Sequence, residues 1–183
     1  IGGGIIGMAI AREAALRKSF KKITLIEKEK NLGFHASSRN SGVIHAGFYY
    51  SPDSQKALFC AEANRMLRNY CLENNIETRK SGKVVVCQNE EQLEILKNLY
   101  KRGVLNKSDV SLLSENQLIN YEPLALTYSK FIWSPNTWSA NPKELIKVMQ
   151  KQLRELGVKV VLNKKIDSFD GTSFSDNYKN KYF

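Results

Sequence analysis

Apolar positions along the chain switch between helical spacing and short unbroken runs, and the switching predicts an α/β order of elements. Residues 8–19 (M-A-I-A-R-E-A-A-L-R-K-S) are rich in alanine and favour a helix. Lys21 and Lys22 interrupt it, and residues 23–27 (I-T-L-I-E) make the short apolar run of a buried strand. Residues 31–47 carry no periodicity and are rich in Ser, Asn and Gly. A polar connection of that length inside a compact domain is usually functional. Helical spacing returns over 54–73, where Leu58, Ala61, Met66, Leu67, Tyr70 and Cys71 predict one apolar face.

Ser81-Gly82 then introduces a strand over 83–87, and Asn89 with Glu90 and Glu91 caps a helix over 89–102. Leu93, Leu96, Leu99 and Tyr100 are its predicted inner face, with Gly103 near its end. Strands are expected at 110–113 and 128–133, with a short helical start at 114–117 between them. Asn141-Pro142 opens a long helix over 143–156 that Gly157 closes. Strands follow at 158–162 and 166–169, then the turn Asp170-Gly171 and the start of another strand in 179–183. Both flanks alternate strand and helix, whereas the stretch from 82 to 139 does not. The pattern predicts an α/β protein: a Rossmann-like nucleotide-binding domain (1–81 and 139–183) with an inserted α+β lobe over 82–138, built on an antiparallel sheet. Both parts are expected to be incomplete, because the chain opens on a glycine turn that a strand should precede and stops as a strand begins.

Composition narrows the partners. The chain of 183 residues is 42% hydrophobic and 25% charged, enough for one sizeable core and a smaller lobe. Lys and Arg number 28 against 18 Asp and Glu, a net charge of +10. The lysines are dispersed rather than gathered into a stripe with aromatics, which argues against nucleic-acid binding. The charge does allow loose, peripheral association with an anionic membrane surface. No apolar run approaches the ~20 residues of a membrane span, and no secretory signal pattern is read. Cys60, Cys71 and Cys87 form no CxxC pair and have no histidine at metal spacing. They read as small reduced thiols, which predicts a cytoplasmic location and no metal site.

The opening turn carries the first chemistry. Gly2, Gly4 and Gly7 fit G-x-G-x-x-G. The first glycine allows the tight turn, the second lets backbone N–H groups approach a pyrophosphate, and the third lets the helix pack on the strand. The helix N-terminus near Ile6 presents its positive end to phosphate, and Ile5 and Ile6 are read as part of the cofactor site. Glu27 lies twenty residues beyond Gly7, at the end of the second strand, where a carboxylate accepts hydrogen bonds from ribose hydroxyls and repels a 2′-phosphate. Lys28 beside it completes the set expected around the adenosine. These residues predict a dinucleotide site and disfavour NADP.

Residues 34–50 (F-H-A-S-S-R-N-S-G-V-I-H-A-G-F-Y-Y) are the most specific feature. The stretch resembles the flavin-contacting segment of the D-amino-acid-oxidase-like flavoproteins, and most resembles their L-2-hydroxyglutarate oxidase/dehydrogenase branch. The core R-N-S-G-V-I-H-A-G, the aromatic pair after it, Lys56-Ala57, Cys60 and Gly82-Lys83-Val84-Val85-Val86 all match that branch. The resemblance covers most of the chain and implies FAD, a FAD-binding domain and a substrate lobe. Ser38, Asn40 and Ser41, with the bend at Gly42, suit the pyrophosphate and ribityl chain, while Arg39 either contacts phosphate or lies in solvent. The resemblance also implies that residues 43–47, with His45, Ala46 and Gly47, pass beside the flavin ring, and that Ile166 meets the adenine through its backbone. One departure stands out. The branch carries a T-G-I-V-D-like stretch after S-P, and here Ser134-Pro135-Asn136-Thr137 runs into Trp138-Ser139-Ala140.

The implied reaction is oxidation of a small 2-hydroxy acid by hydride transfer to the flavin, with a proton lost from the hydroxyl. His35 and His45 are the histidines available. His45 is read as a proton acceptor or substrate-orienting group, as a flavin contact, or as packing, and His35 as structural in its loop. Tyr49 and Lys56 are weaker substrate-binding candidates. An amine or amino-acid oxidase of the same superfamily, and a non-catalytic nucleotide-binding module, are the alternatives. The electron acceptor is left open.

Overall fold

Glycine at the head of the chain decides where the first helix begins. In chain order the elements are α1 (Ile5–Leu16), β1 (Thr24–Ile26), β2 (Val43–Ile44), α2 (Gln55–Glu73), β3 (Thr78–Arg79) and β4 (Lys83–Val86). Next come α3 (Glu90–Leu105), β5 (Ser111–Ser114), a 3-10 turn (Glu115–Asn120), β6 (Lys130–Ser134) and β7 (Trp138–Ala140). The chain closes with α4 (Pro142–Glu155), β8 (Lys159–Val161), β9 (Ile166–Phe169), β10 (Phe174–Asp176) and β11 (Lys181–Tyr182). This computed structural model describes residues 1–176 and 179–182; the last residue of the strand expected over 179–183, Phe183, lies outside them. The chain forms two compact units, Ile1–Ser41 with Asn141–Phe183, and Gly42–Ala140.

In the first unit α1 starts and stops three residues earlier than its composition predicts. Gly4, extended at φ −74° and ψ 176°, is its N-cap, and Lys18 at φ +52° ends the turn that follows it. Met8 and Ala11 are its buried residues. β1 and β8 pair in parallel, with Leu25 opposite Val160. α4 is capped by Asn141, whose side chain accepts from the N–H groups of Lys143 and Glu144, with Pro142 in its first turn. Ile146, Met149 and Leu153 are its buried stripe, at the spacing of one helical face. Arg12 Nε donates to Gln152 Oε1 at 2.7 Å, tying α1 to α4. β9, β10 and β11 make a separate antiparallel meander.

The second unit begins well ahead of the lobe expected over 82–138. The reason is strand pairing: β2 and β3 lie on opposite edges of β7, so residues 43–44 and 78–79 belong to the same sheet as 138–140. A second antiparallel sheet, in the order β4-β6-β5, supports α3. Its core joins Cys87, Leu93, Leu96 and Ile132, bordered by Val85, Leu99, Tyr100, Val110 and Leu112, which matches the face predicted for α3. The face predicted for α2 is corrected. Its buried residues are Ala57, Asn64 and Cys71, whereas Leu58 and Met66 are exposed. The seven-residue spacing of 57, 64 and 71 runs down one side of the helix, and the polar Asn64 in that stripe hides it from an apolar count.

Ile132 is fully buried in the centre of β6. Ile132→Ala should lower the unfolding free energy by about 2–5 kcal/mol, read from the urea midpoint. A shift under about 1 kcal/mol would contradict its place in the core.

Candidate functional site

The glycine turn of the first unit is held from three sides. Gly2 stands at φ +92°, and its N–H donates to the Ile26 carbonyl at 2.8 Å, laying the turn along the end of β1. The Gly3 N–H donates to Glu27 Oε2 at 2.6 Å, and the Gly3 carbonyl accepts from Gly33 N–H at 2.7 Å. A Cβ on Gly7 would run into the Gly2 carbonyl, and one on Gly3 into the Leu32 side chain. A Cβ on Gly4 would come within 3.2 Å of Ser37 Oγ. Gly2 and Gly7 therefore occupy positions where a side chain is excluded by backbone angle or by space, whereas a Cβ on Gly4 would need the Ser37 side chain to give way by a few tenths of an ångström. At Gly3, unspecified by the motif, a Cβ would have to displace the Leu32 side chain and press on Glu27.

Beyond the turn, α1 offers its first N–H groups without intrahelical acceptors. The Ile5 N–H donates to Ser37 Oγ at 3.0 Å; the groups after it, beginning with Ile6, lie at the helix N-terminus, an end that favours anions. Glu27 is buried, with Oε1 accepting from the Glu29 N–H at 2.8 Å. An ionised carboxylate has about four acceptor positions, and the two N–H groups leave room for ribose hydroxyls. The Glu27 carbonyl accepts from Lys164 N–H at 2.9 Å and Glu29 from Asn163 N–H at 3.1 Å, which brings the chain leading into Ile166 alongside Glu27 and Lys28. Lys28 is exposed, 3.6 Å from the Glu29 carboxylate. The hydrogen bond from His35 Nε2 at 2.9 Å is the main reason that the Glu29 carboxyl titrates below its ordinary range. These residues fit a dinucleotide: a cradle closed to side chains, a helix N-terminus and a carboxylate at the end of β1.

The loop that follows is a tight turn rather than an open strand. Ser38 N–H donates to His35 and Arg39 N–H to Ala36, each at 3.2 Å, and Asn40 Nδ2 donates to the carbonyls of Ala36 and Ser37. Arg39 lies over the Phe34 ring at 4.8 Å. Ser38 is half-buried, and Ser41 is exposed at the end of the first unit. Ser37, absent from the predicted set, is the serine that touches the helix start.

In the second unit the stretch from Gly42 to Tyr50 is short of secondary structure, and side chains satisfy its carbonyls. Asn64 Nδ2 donates to Ile44, His45 and Asn136 at 3.0–3.2 Å. Ser108 Oγ donates to Ala46, Asn106 Nδ2 to both Gly47 and Tyr50, and Arg102 Nη1 to Tyr49. Gly47 has φ +86°, and a Cβ there would meet the Cys60 Cβ at 3.0 Å. Phe48 is fully buried and stacks on Tyr49 at 4.2 Å. His45 is exposed, yet partial burial of its ring, and then the charge of Lys83, lower its pKa below the ordinary histidine value. Lys56 is exposed, 5.8 Å from the Tyr50 ring centroid. Asn64, Arg102, Asn106 and Ser108 were missed in the sequence; a polar residue in the buried stripe of α2 was the available signal for the first. The cysteines are free, and no group of metal-ligating side chains occurs among the described residues.

A glycine turn capped by a helix N-terminus, with a carboxylate ending the adjacent strand, defines a dinucleotide-binding α/β protein. The sequence matches the FAD dependent oxidoreductase family (DAO) over residues 1–177, and the chain belongs to that family. FAD is thus the dinucleotide. L-2-hydroxyglutarate dehydrogenase, mitochondrial, from Dictyostelium discoideum is 38% identical over 157 residues, covering 85% of this chain and 35% of that protein. The proteins of the same name from Nematostella vectensis and Homo sapiens are 40% and 33% identical, covering 75% and 89% of this chain and 30% and 35% of theirs. The chain thus spans about a third of the length of these relatives. Among solved structures, L-alpha-glycerophosphate oxidase from Mycoplasma pneumoniae with FAD bound superposes with a TM-score of 0.84 at 25% identity, over 96% of this chain and 47% of that one. Glycine oxidase from Geobacillus kaustophilus gives 0.84 at 20% identity, over 97% and 50%, and supports the fold alone.

The comparisons correct the expected cytoplasmic location. Relatives at 33–40% identity are named as mitochondrial proteins. Reduced cysteines mark a reducing environment, which is not confined to the cytoplasm, so they could not carry that expectation. No helix among the described residues is long and apolar enough to cross a membrane.

Gly7→Ala should strip the flavin by driving a methyl group into the Gly2 carbonyl. The ratio of 450 nm to 280 nm absorbance of the purified enzyme measures it, and a wild-type ratio would contradict the geometry of the turn.

Proposed function

We propose that the enzyme carrying this chain oxidises a small 2-hydroxy acid, of the kind of L-2-hydroxyglutarate, to its 2-oxo acid. The observation that carries this reading is the set of relatives, 32–40% identical, that share the name L-2-hydroxyglutarate dehydrogenase. FAD, when bound, supplies the hydride acceptor. The first unit is the cofactor unit: the turn from Gly2 to Gly7 and the start of α1 hold the pyrophosphate. Glu27 takes the ribose hydroxyls, the Ile166 backbone meets the adenine, and Ser38, Arg39, Asn40 and Ser41 serve the phosphates and ribityl chain. The second unit supplies substrate-facing groups from residues 42–50, Tyr49 among them, and Lys56 at the start of α2.

His45 is the proton acceptor in this reading. Its lowered pKa keeps the imidazole neutral at pH 7, and a neutral ring nitrogen can take the hydroxyl proton as the C2 hydrogen leaves. Its neighbours support that role, because the carbonyls of Ile44 and His45 are both fixed by Asn64. A backbone so held limits the positions the ring can reach.

A panel of 2-hydroxy acids and amino acids, assayed with an artificial electron acceptor, tests the substrate class. Turnover of L-2-hydroxyglutarate with none of the amino acids is expected, and activity on amines alone would overturn the reading. His45→Asn should lower kcat by about 10²–10⁴ with flavin content unchanged. In the wild-type enzyme kcat/KM should be full above the His45 pKa and fall tenfold per pH unit below it. Because burial and Lys83 depress that pKa, the acid limb should bend below about pH 6.5, the ordinary histidine value.

A further inference from the structure

Lys83 heads β4, an edge strand of its sheet, opposite Ser134 of β6. Its entry is fixed by Gly82, which stands at φ +67° and donates its N–H to the Thr137 carbonyl at 2.9 Å. The half-buried side chain carries its ammonium to 4.6 Å from the centroid of the Tyr49 ring. That ring is itself held, stacked on the buried Phe48 and anchored by the bond from Arg102 to the Tyr49 carbonyl. Like most of the lysines, Lys83 has no carboxylate within ion-pair distance among the described residues. Its charge reaches His45, where it helps to keep the imidazole neutral.

A half-buried ammonium held over the ring of Tyr49, four residues along the chain from His45, suits the head of a 2-hydroxy acid. The hydroxyl that loses its proton and the C1 carboxylate sit on adjacent carbons, so the group that takes the proton and the group that binds the carboxylate must be neighbours. We propose that Lys83, steadied over Tyr49, binds the C1 carboxylate of the substrate and thereby presents the C2 hydroxyl to His45. The assignment rests on the hydroxy-acid reading given above. An ammonium bonding a carboxylate makes a charge-assisted contact, stronger than a neutral hydrogen bond. The aromatic ring beneath attracts the cation without neutralising it.

The test compares the flavin-loaded wild-type enzyme with Lys83→Met, Lys83→Gln and Lys83→Arg. Glutarate, which carries the carboxylates but no oxidisable hydroxyl, is titrated calorimetrically, and KM and kcat for L-2-hydroxyglutarate are measured alongside. Lys83→Met and Lys83→Gln should each weaken glutarate binding and raise KM by about 10- to 100-fold, with flavin content and melting temperature unchanged. Lys83→Arg, which keeps the charge, should stay within about threefold. Lys83→Gln, which keeps a polar end on a shorter stem, serves as the second variant should methionine disturb the fold. A wild-type dissociation constant in either folded, uncharged variant overturns the role of Lys83. A wild-type enzyme that binds no glutarate and oxidises no 2-hydroxy acid overturns the hydroxy-acid reading itself. The two failures are therefore distinct.

Discussion

The segment from Gly42 to Tyr50 has little strand or helix of its own, so its backbone carbonyls need partners from elsewhere. A buried carbonyl left without one costs about as much as a lost hydrogen bond. Asn64, Arg102, Asn106 and Ser108 meet that demand, and between them they bond the carbonyls of residues 44–47, 49 and 50. The constraint explains why α2 buries an asparagine among small residues. Asn64 has two amide hydrogens for three carbonyls, so they are shared among Ile44, His45 and Asn136. Replacing it by aspartate would set an acceptor against acceptors, although the two side chains have nearly the same shape.

In the first unit the corresponding constraint is space. Glycine at positions 3, 4 and 7 lets Leu32, Ser37 and the Gly2 carbonyl approach the turn closely. That approach in turn lets Glu27 reach the Gly3 N–H. The carboxylate thus closes the turn onto β1, and the ribose contact proposed for it would be its second duty. A sequence motif records the second duty, because a glutamate twenty residues past the last glycine is what ribose binding requires. The first duty appears only in the coordinates.

Much of the fold was legible because its determinants are local. The cap at Asn89, the acidic pair after it and the Asn141-Pro142 start announce α3 and α4, and both form with only small shifts at their ends. The face of α2 was not legible, since Asn64 is buried for bonds to residues far away in sequence and a hydrophobic count passes over it. β2, β3 and β7 escaped for a similar reason: each has two or three residues and exists through pairing with distant ones. In the candidate site, Gly2, Gly4, Gly7 and Glu27 were readable from their spacing. Ser37 was not, because only the folded loop distinguishes it from Ser38. Lys83 stood in a matched motif, yet nothing in the sequence sets its ammonium over Tyr49.

The bond from the Ile5 N–H to Ser37 Oγ, with that from Gly33 to Gly3, pins the far end of a long loop onto the glycine turn. Part of the conformational entropy of ordering that loop is therefore met by protein contacts and not by the cofactor alone. A preorganised cradle of this kind converts more of each phosphate contact into affinity. Weakening the pin should show first in how slowly the cofactor is captured and how quickly it escapes.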